Sequence, residues 1–124
     1  MYAVITGDLV KSELFLKKRR QVLEVLHTAL GMLEKSRRGD VWVSDIHRGD
    51  AYQIVTNDEE QALRIALFMR ARLLQHTVEG RPLEARSAVG IGGIEYLDRS
   101  NIAESDGEAF RLSGRSLEEM SAYR

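Results

Sequence analysis

Two Gly-Asp pairs stand at the borders of apolar, β-rich runs. Gly7-Asp8 closes the run Ala3-Val4-Ile5-Thr6, and Gly49-Asp50 opens the run that carries Tyr52, Ile54 and Thr56. Two carboxylates brought close together repel, and one keeps its proton unless a cation lies between them. Neither has a neighbouring pair of His or Cys ligands, so a hard oxygen set of this kind suits Mg²⁺ or Mn²⁺ rather than zinc. Asp8 is followed by Leu9-Val10-Lys11-Ser12 and then by a helix-forming stretch, whose free amides and positive dipole end would receive phosphate. Metal and amide cradle together describe a site for a nucleoside triphosphate. Taken singly, each aspartate is also ordinary turn chemistry.

The remaining chemistry-bearing residues are less pointed. His47 and His76 have no metal-ligand spacing between them and read as a hairpin edge and a helix end. Lys17 to Arg20 read as an exposed helical face. The tripeptide Arg48-Gly49-Asp50 spells a cell-adhesion sequence, but a chain without cysteine or a secretion signal argues against that use. Lys35, Arg37 and Arg38 could touch nucleic acid, yet a formal net charge of -1 and the lack of an aromatic stacking set argue against it. The absence of cysteine excludes a disulfide framework, a thiolate zinc site and a cysteine nucleophile, and fits a reducing cytoplasm. The apolar N-terminal run lacks a basic leader and is too short for a signal peptide, so it reads as the first strand and a membrane is not expected as partner.

These residues need elements to hold them, and 124 residues with 44% hydrophobic content support one domain over 1–124. Ala3 to Thr6 predicts a buried strand. Val22, Leu26, Ala29, Leu30 and Leu33 fall at helical spacing and predict one helix over 13–36 with Ser12 as its N-cap. Alternation over 41–46 and from Tyr52 to Thr56 predicts a hairpin with His47-Arg48-Gly49-Asp50 at its tip. Thr56 and Glu59 suggest a capping box for a second helix that carries Ala62, Ile65, Ala66, Met69 and Leu73 and ends near His76. Ala85, Ser87, Val89 and Ile91 predict one side of a fourth strand, preceded by Pro82 and broken at Gly92-Gly93. A third helix is expected from Gly107, with Ser113 and Gly114 permitting close packing. The order β-α-β-β-α-β plus a C-terminal helix predicts an α+β, ferredoxin-like palm domain, an antiparallel sheet with helices on one face. In that topology the first and third strands are central neighbours, which brings Asp8 and Asp50 to one rim.

The segments YAVITGDLVKS, RGDAYQIV, AVGIGGIE and SDGEAFRLSGRSLEEM resemble the SatD family of bacterial proteins. That family shows a Gly-Asp-x-x-x-Ser opening, a Gly-Asp hairpin with aromatic and Gln, a Gly-Ile-Gly strand and an Asp-Gly-x-Ala-aromatic helix start. Its members are usually longer, so the resemblance implies an N-terminal domain. The same blocks are similar, more distantly, to class III nucleotidyl cyclases and GGDEF-type diguanylate cyclases, both built on a palm-like core. The resemblance implies that Asp8 and Asp50 hold the metal ions, that the Leu9 carbonyl is a further ligand, and that 9–12 border the triphosphate. It also implies a homodimer that shares its site. Where cyclases carry an Asn and, four residues on, an Arg, this chain has Arg111 and Arg115, so the phosphate-steadying arginine is present and the asparagine is replaced. Glu104 stands in the place of a base-reading aspartate, and Ala51 in that of the GGDEF glutamate ligand. Two functions follow: a metal-dependent nucleotide-binding domain of cyclase-like architecture, catalytic or not, or a non-catalytic sensor or dimerisation module on the same fold.

Overall fold

Alternation along the first strand sends odd-numbered side chains to one face and even-numbered ones to the other, and both faces are covered by helix. The computed structural model describes residues 1–35 and 43–121; Arg37, Arg38, Val41 and Trp42 lie outside them. Six strands are numbered in chain order: β1 (Tyr2–Leu9), β2 (Val43–His47), β3 (Ala51–Thr56), β4 (Thr77–Val78), β5 (Arg81–Pro82) and β6 (Ala85–Gly92). The helices are α1 (Arg19–Glu34), α2 (Ala62–Leu74) and α3 (Glu108–Ser121). The main sheet has the order β2-β3-β1-β6, with every neighbouring pair antiparallel, and β4 and β5 form a separate hairpin. This is the expected ferredoxin-like order, with β1 and β3 at the centre.

Ala3, Ile5 and Leu9 of β1 pack with Leu26, Leu30 and Leu33 of α1 and with Ile65, Met69 and Leu73 of α2. Each Leu or Ile buried here contributes about 1.5–3 kcal/mol, so this layer is the main stabilising core. On the opposite face Val4 and Val55 meet Ile102, Ala109 and Phe110. α3 therefore crosses the face that α1 and α2 leave uncovered. Its close approach requires Gly90, where a Cβ would collide with the Ala109 carbonyl oxygen and lie 2.6 Å from the Ser113 nitrogen. Gly114, by contrast, faces open space; Ser113 and Gly90 provide the close packing.

Several boundaries differ from those the sequence suggests. The stretch over 13–36 is two pieces, a 3₁₀ turn over Ser12–Lys18 followed by α1. Ser12 does not cap α1; Lys11, at φ 54, precedes the 3₁₀ turn and no side chain caps it. The tighter winding turns Phe15 inward while Leu14 and Leu16 stay exposed, a division that a helical period does not reveal. Thr56 does not form a capping box with Glu59. Its hydroxyl accepts from the Asp58 amide at 3.0 Å, and Asp58 caps the turn over Glu59–Gln61 by accepting from the Glu60 amide at 3.2 Å. Pro82 belongs to the short β4–β5 hairpin, whose turn is made by Glu79 and Gly80, both at positive φ.

Candidate functional site

β1 and β3 pair so that Asp8 stands opposite Ala51, and the Leu9 amide donates to the Asp50 carbonyl at 2.9 Å. The chain thus brings the two aspartates to one rim, next to each other along the β3 edge. Their side chains serve different hollows. Asp8 lines a cleft of about 680 Å³ on the α3 side of the sheet, together with Thr6, Asp45, His47, Gln53 and Asn101. Asp50 lines a pocket of about 260 Å³ on the α1 side, with Leu9, Ser12, Phe15 and Arg19. Arg48 borders both. The larger cleft lies within the roughly 300–1,000 Å³ of small-molecule sites.

Charge at Asp8 is balanced within the chain. Arg86 of β6, the cross-strand neighbour of Asp8, donates from Nε to Oδ1 at 3.0 Å and from Nη2 to Oδ2 at 2.9 Å. This is a two-pronged guanidinium–carboxylate pair of the stronger kind, and it answers the repulsion for which the sequence alone demanded a cation. Arg86 carries a signal that strand alternation offered: on the face formed by Arg86, Ala88, Gly90 and Gly92 it is the one charged residue among small ones.

A polar row runs from the cleft to α3. His47 Nε2 lies 3.0 Å from Gln53 Oε1, Gln53 Nε2 donates to Thr6 Oγ1 at 3.3 Å, and Thr6 Oγ1 lies 2.9 Å from Ser113 Oγ. Ser113 donates to the Phe110 carbonyl at 3.1 Å. Since that bond uses the Ser113 proton, Thr6 donates to Ser113, and His47 is the first donor of the row. His47 is thereby held at the wall of the cleft.

Gly7 and Tyr52 set the floor of the site from the other side. The ring of Tyr52 lies across Gly7, where an added Cβ would sit 2.7 Å from Cε2 and closer still to Cζ. Burial pushes the phenol above its ordinary pKa, Ser87 opposes the shift, and the charge of Asp8 adds to it. Among the described residues its buried hydroxyl finds no hydrogen bond of ordinary geometry.

The phosphate-bordering stretch is divided. Leu9 and Ser12 line the Asp50 pocket, whereas Val10 and Lys11 line a hollow with Arg81 and Glu84. The amides of Leu9 and Val10 are engaged by the carbonyls of Asp50 and Glu84 at 2.9 and 2.8 Å, so an amide cradle cannot use them. Arg111 is exposed and bridges Glu95 and Asp106, each at 3.2 Å; the Glu95 hydrogen bond and charge, then Asp106, raise its pKa. Arg115 is exposed on α3, and neither arginine is among the residues lining the cleft. Glu104 is exposed in a short turn and does not line the cleft either. His76 follows α2, its amide bonded to the Leu73 carbonyl.

No family model matches the chain, so the SatD resemblance stands on its short motifs alone. No curated protein matches it either. Solved structures do. The guanylyl cyclase domain of the RhoGC fusion protein from the aquatic fungus Blastocladiella emersonii, an E497/C566D double mutant in a monomeric crystal structure, superposes with a TM-score of 0.72 at 20% identity, over 92% of this chain and 71% of that one. The active GGEEF domain of a diguanylate cyclase from Vibrio cholerae gives a TM-score of 0.65 at 16% identity, over 98% of this chain and 77% of that one. The protein therefore has a cyclase-like palm fold. Among the described residues no helix is long and apolar enough to cross a membrane.

Proposed function

We propose that this chain is a metal-dependent nucleoside-triphosphate-binding domain of nucleotidyl-cyclase-like architecture, with Asp8 and Asp50 as ligands of Mg²⁺ or Mn²⁺. The observation that supports the reading is the backbone bond between the Leu9 amide and the Asp50 carbonyl, which holds the two aspartates' backbones on one rim between a nucleotide-sized cleft lined by Asp8 and a smaller pocket lined by Asp50. Among the described residues no group of three His, Asp or Glu could enclose a metal. Two carboxylates nonetheless fit Mg²⁺, which commonly takes one or two and completes its shell with phosphate oxygens and water. When bound, the ion would neutralise phosphate charge and polarise a phosphoryl oxygen. The protein residues hold and orient: Asp8 exchanges its Arg86 counter-ion, Asp50 contributes from the hairpin tip, and Ser12 faces the same pocket. Arg111 and Arg115, which do not line the cleft of their own chain, would reach a phosphate only in a homodimer. The cysteine-free composition suits a cytoplasmic setting.

A second reading, a non-catalytic sensor or dimerisation module on this fold, is favoured by the same ion pair. Arg86 occupies both oxygens of Asp8, and Arg111 is held by Glu95 and Asp106. A thermal-shift screen of ATP, GTP, CTP and UTP, each with and without Mg²⁺ or Mn²⁺, tests binding. A triphosphate at about 100 times its dissociation constant adds roughly 2.7 kcal/mol, a clear rise in Tm that Asp8→Ala and Asp50→Ala must abolish. A flat response across all combinations refutes the nucleotide reading. Product chromatography after incubation separates enzyme from sensor.

A further inference from the structure

Arg48 at the hairpin tip and Arg19 at the start of α1 bring two guanidinium groups to the mouth of one pocket. Arg48 and Gly49 both have positive φ, 54° and 79°, the pairing of a tight hairpin turn that ordinarily selects Asn or Gly at these positions. Arginine at the first of them is strained, and strain of this sort is kept where the surroundings make use of it. Its side chain is exposed on the ridge between the Asp8 cleft and the Asp50 pocket and borders both. Arg19, the first residue of α1, lies alongside: its Nη2 is 3.3 Å from where a Gly49 Cβ would be. Among the described residues, neither Arg48 nor Arg19 makes an ion pair or a side-chain hydrogen bond, although Asp50 stands in the same pocket. The pocket floor, Phe15 and Val22, is apolar, so an anion entering its mouth would meet the two cations at the rim and the Asp50 carboxylate beside them.

We infer that Arg19 and Arg48 form a clamp for the terminal phosphates of a polyphosphate chain that crosses the hairpin tip from the cleft into the Asp50 pocket. The inference rests on the nucleotide reading above for the rest of its ligand, but the clamp itself recognises polyphosphate. Two planar donors on a ridge suit two successive phosphates, which a monophosphate cannot offer. Arg48 is the stricter member, because its backbone is committed to a costly conformation in order to project there.

The test is isothermal titration of the full chain with Mg²⁺ and, separately, ATP, GTP, AMP, GMP and inorganic triphosphate. Wild type is compared with Arg48→Gly, Arg48→Lys and Arg19→Gln. Glycine adopts φ 54° freely, so Arg48→Gly keeps or raises the melting temperature and loss of binding cannot be assigned to unfolding. Each neutral substitution is expected to weaken triphosphate binding about tenfold or more and to shrink the preference for triphosphate over monophosphate by the same factor, with Arg48→Lys in between. Inorganic triphosphate that binds through the arginines while nucleotides show no added affinity supports the clamp and overturns the nucleotide reading. Nucleoside triphosphate binding that the arginine variants leave unchanged, or that they weaken equally for mono- and triphosphates, overturns the clamp and leaves the nucleotide reading in place. No binding of either class overturns both.

Discussion

Replacing Arg86 by Met keeps the aliphatic bulk on β6 and removes both donors from Asp8. The pair is neither exposed nor fully buried: the Arg86 and Asp8 side chains are 19% and 26% accessible. Exposed ion pairs are worth about 0–1 kcal/mol, while breaking a buried one by removing a single partner costs about 3–5. Its two bonds at 2.9 and 3.0 Å and its partial burial place this pair between those limits, at about 2 kcal/mol. Equilibrium urea unfolding of wild type, Arg86→Met, Asp8→Asn and the double variant measures it. Each single change is expected to lower stability by about 2 kcal/mol, and the double variant by clearly less than their sum, because it leaves no orphaned charge. The same change should help the ligand. Asp8 in Arg86→Met has no internal counter-ion to surrender, so Mg²⁺ with a nucleoside triphosphate should stabilise this variant more than it stabilises wild type. A single variant within about 0.5 kcal/mol of wild type, or strictly additive effects, would refute the reasoning.

Gly7→Ala should cost about 3 kcal/mol in urea unfolding, since the new methyl occupies the space of the Tyr52 ring in the middle of the sheet. Wild-type stability should fall above pH 10, the ordinary phenol pKa, because the unfolded chain then releases a proton that buried Tyr52 retains. The slope attributable to that group approaches about 1.4 kcal/mol per pH unit, and Tyr52→Phe should flatten it by that amount. An unchanged slope in Tyr52→Phe would mean that the hydroxyl is not held neutral by burial. At neutral pH, Tyr52→Phe should be neutral or stabilising by up to about 1 kcal/mol, as it deletes a buried hydroxyl without a proper partner.

The parts of the fold governed by side-chain period were readable from the chain. Alternation of Ala85, Ser87, Val89 and Ile91 predicted the side of β6 that carries buried Ala85 and half-buried Val89, and Val22 to Leu33 predicted the buried stripe of α1. The shared rim of Asp8 and Asp50 followed from strand order, a consequence of topology more than of any local signal. What escaped was set by other forces. Lys11 and Arg48 adopt left-handed backbone that their residue types do not announce. The turn over Ser12–Lys18 is wound to bury Phe15 alone, and the small β4–β5 hairpin is two residues to a strand. Arg86 is invisible to any reading of residues near Asp8 in sequence, because only the β1–β6 register brings them together. That long-range pairing changes the chemistry of the site, giving one of the two carboxylates a resident counter-ion, while the other shares its pocket with Arg19 and Arg48.

The most direct measurement of the proposed metal and triphosphate site is paramagnetic broadening of backbone amide signals by Mn²⁺ in the presence of a saturating nucleoside triphosphate. Signals from Leu9, Gly49 and Ala51 should broaden beyond detection while Ala109 and its neighbours at the start of α3 stay sharp, with far less effect from Mn²⁺ alone. Broadening centred on Glu95 and Asp106, or a hairpin tip untouched by the ion and nucleotide together, would contradict it.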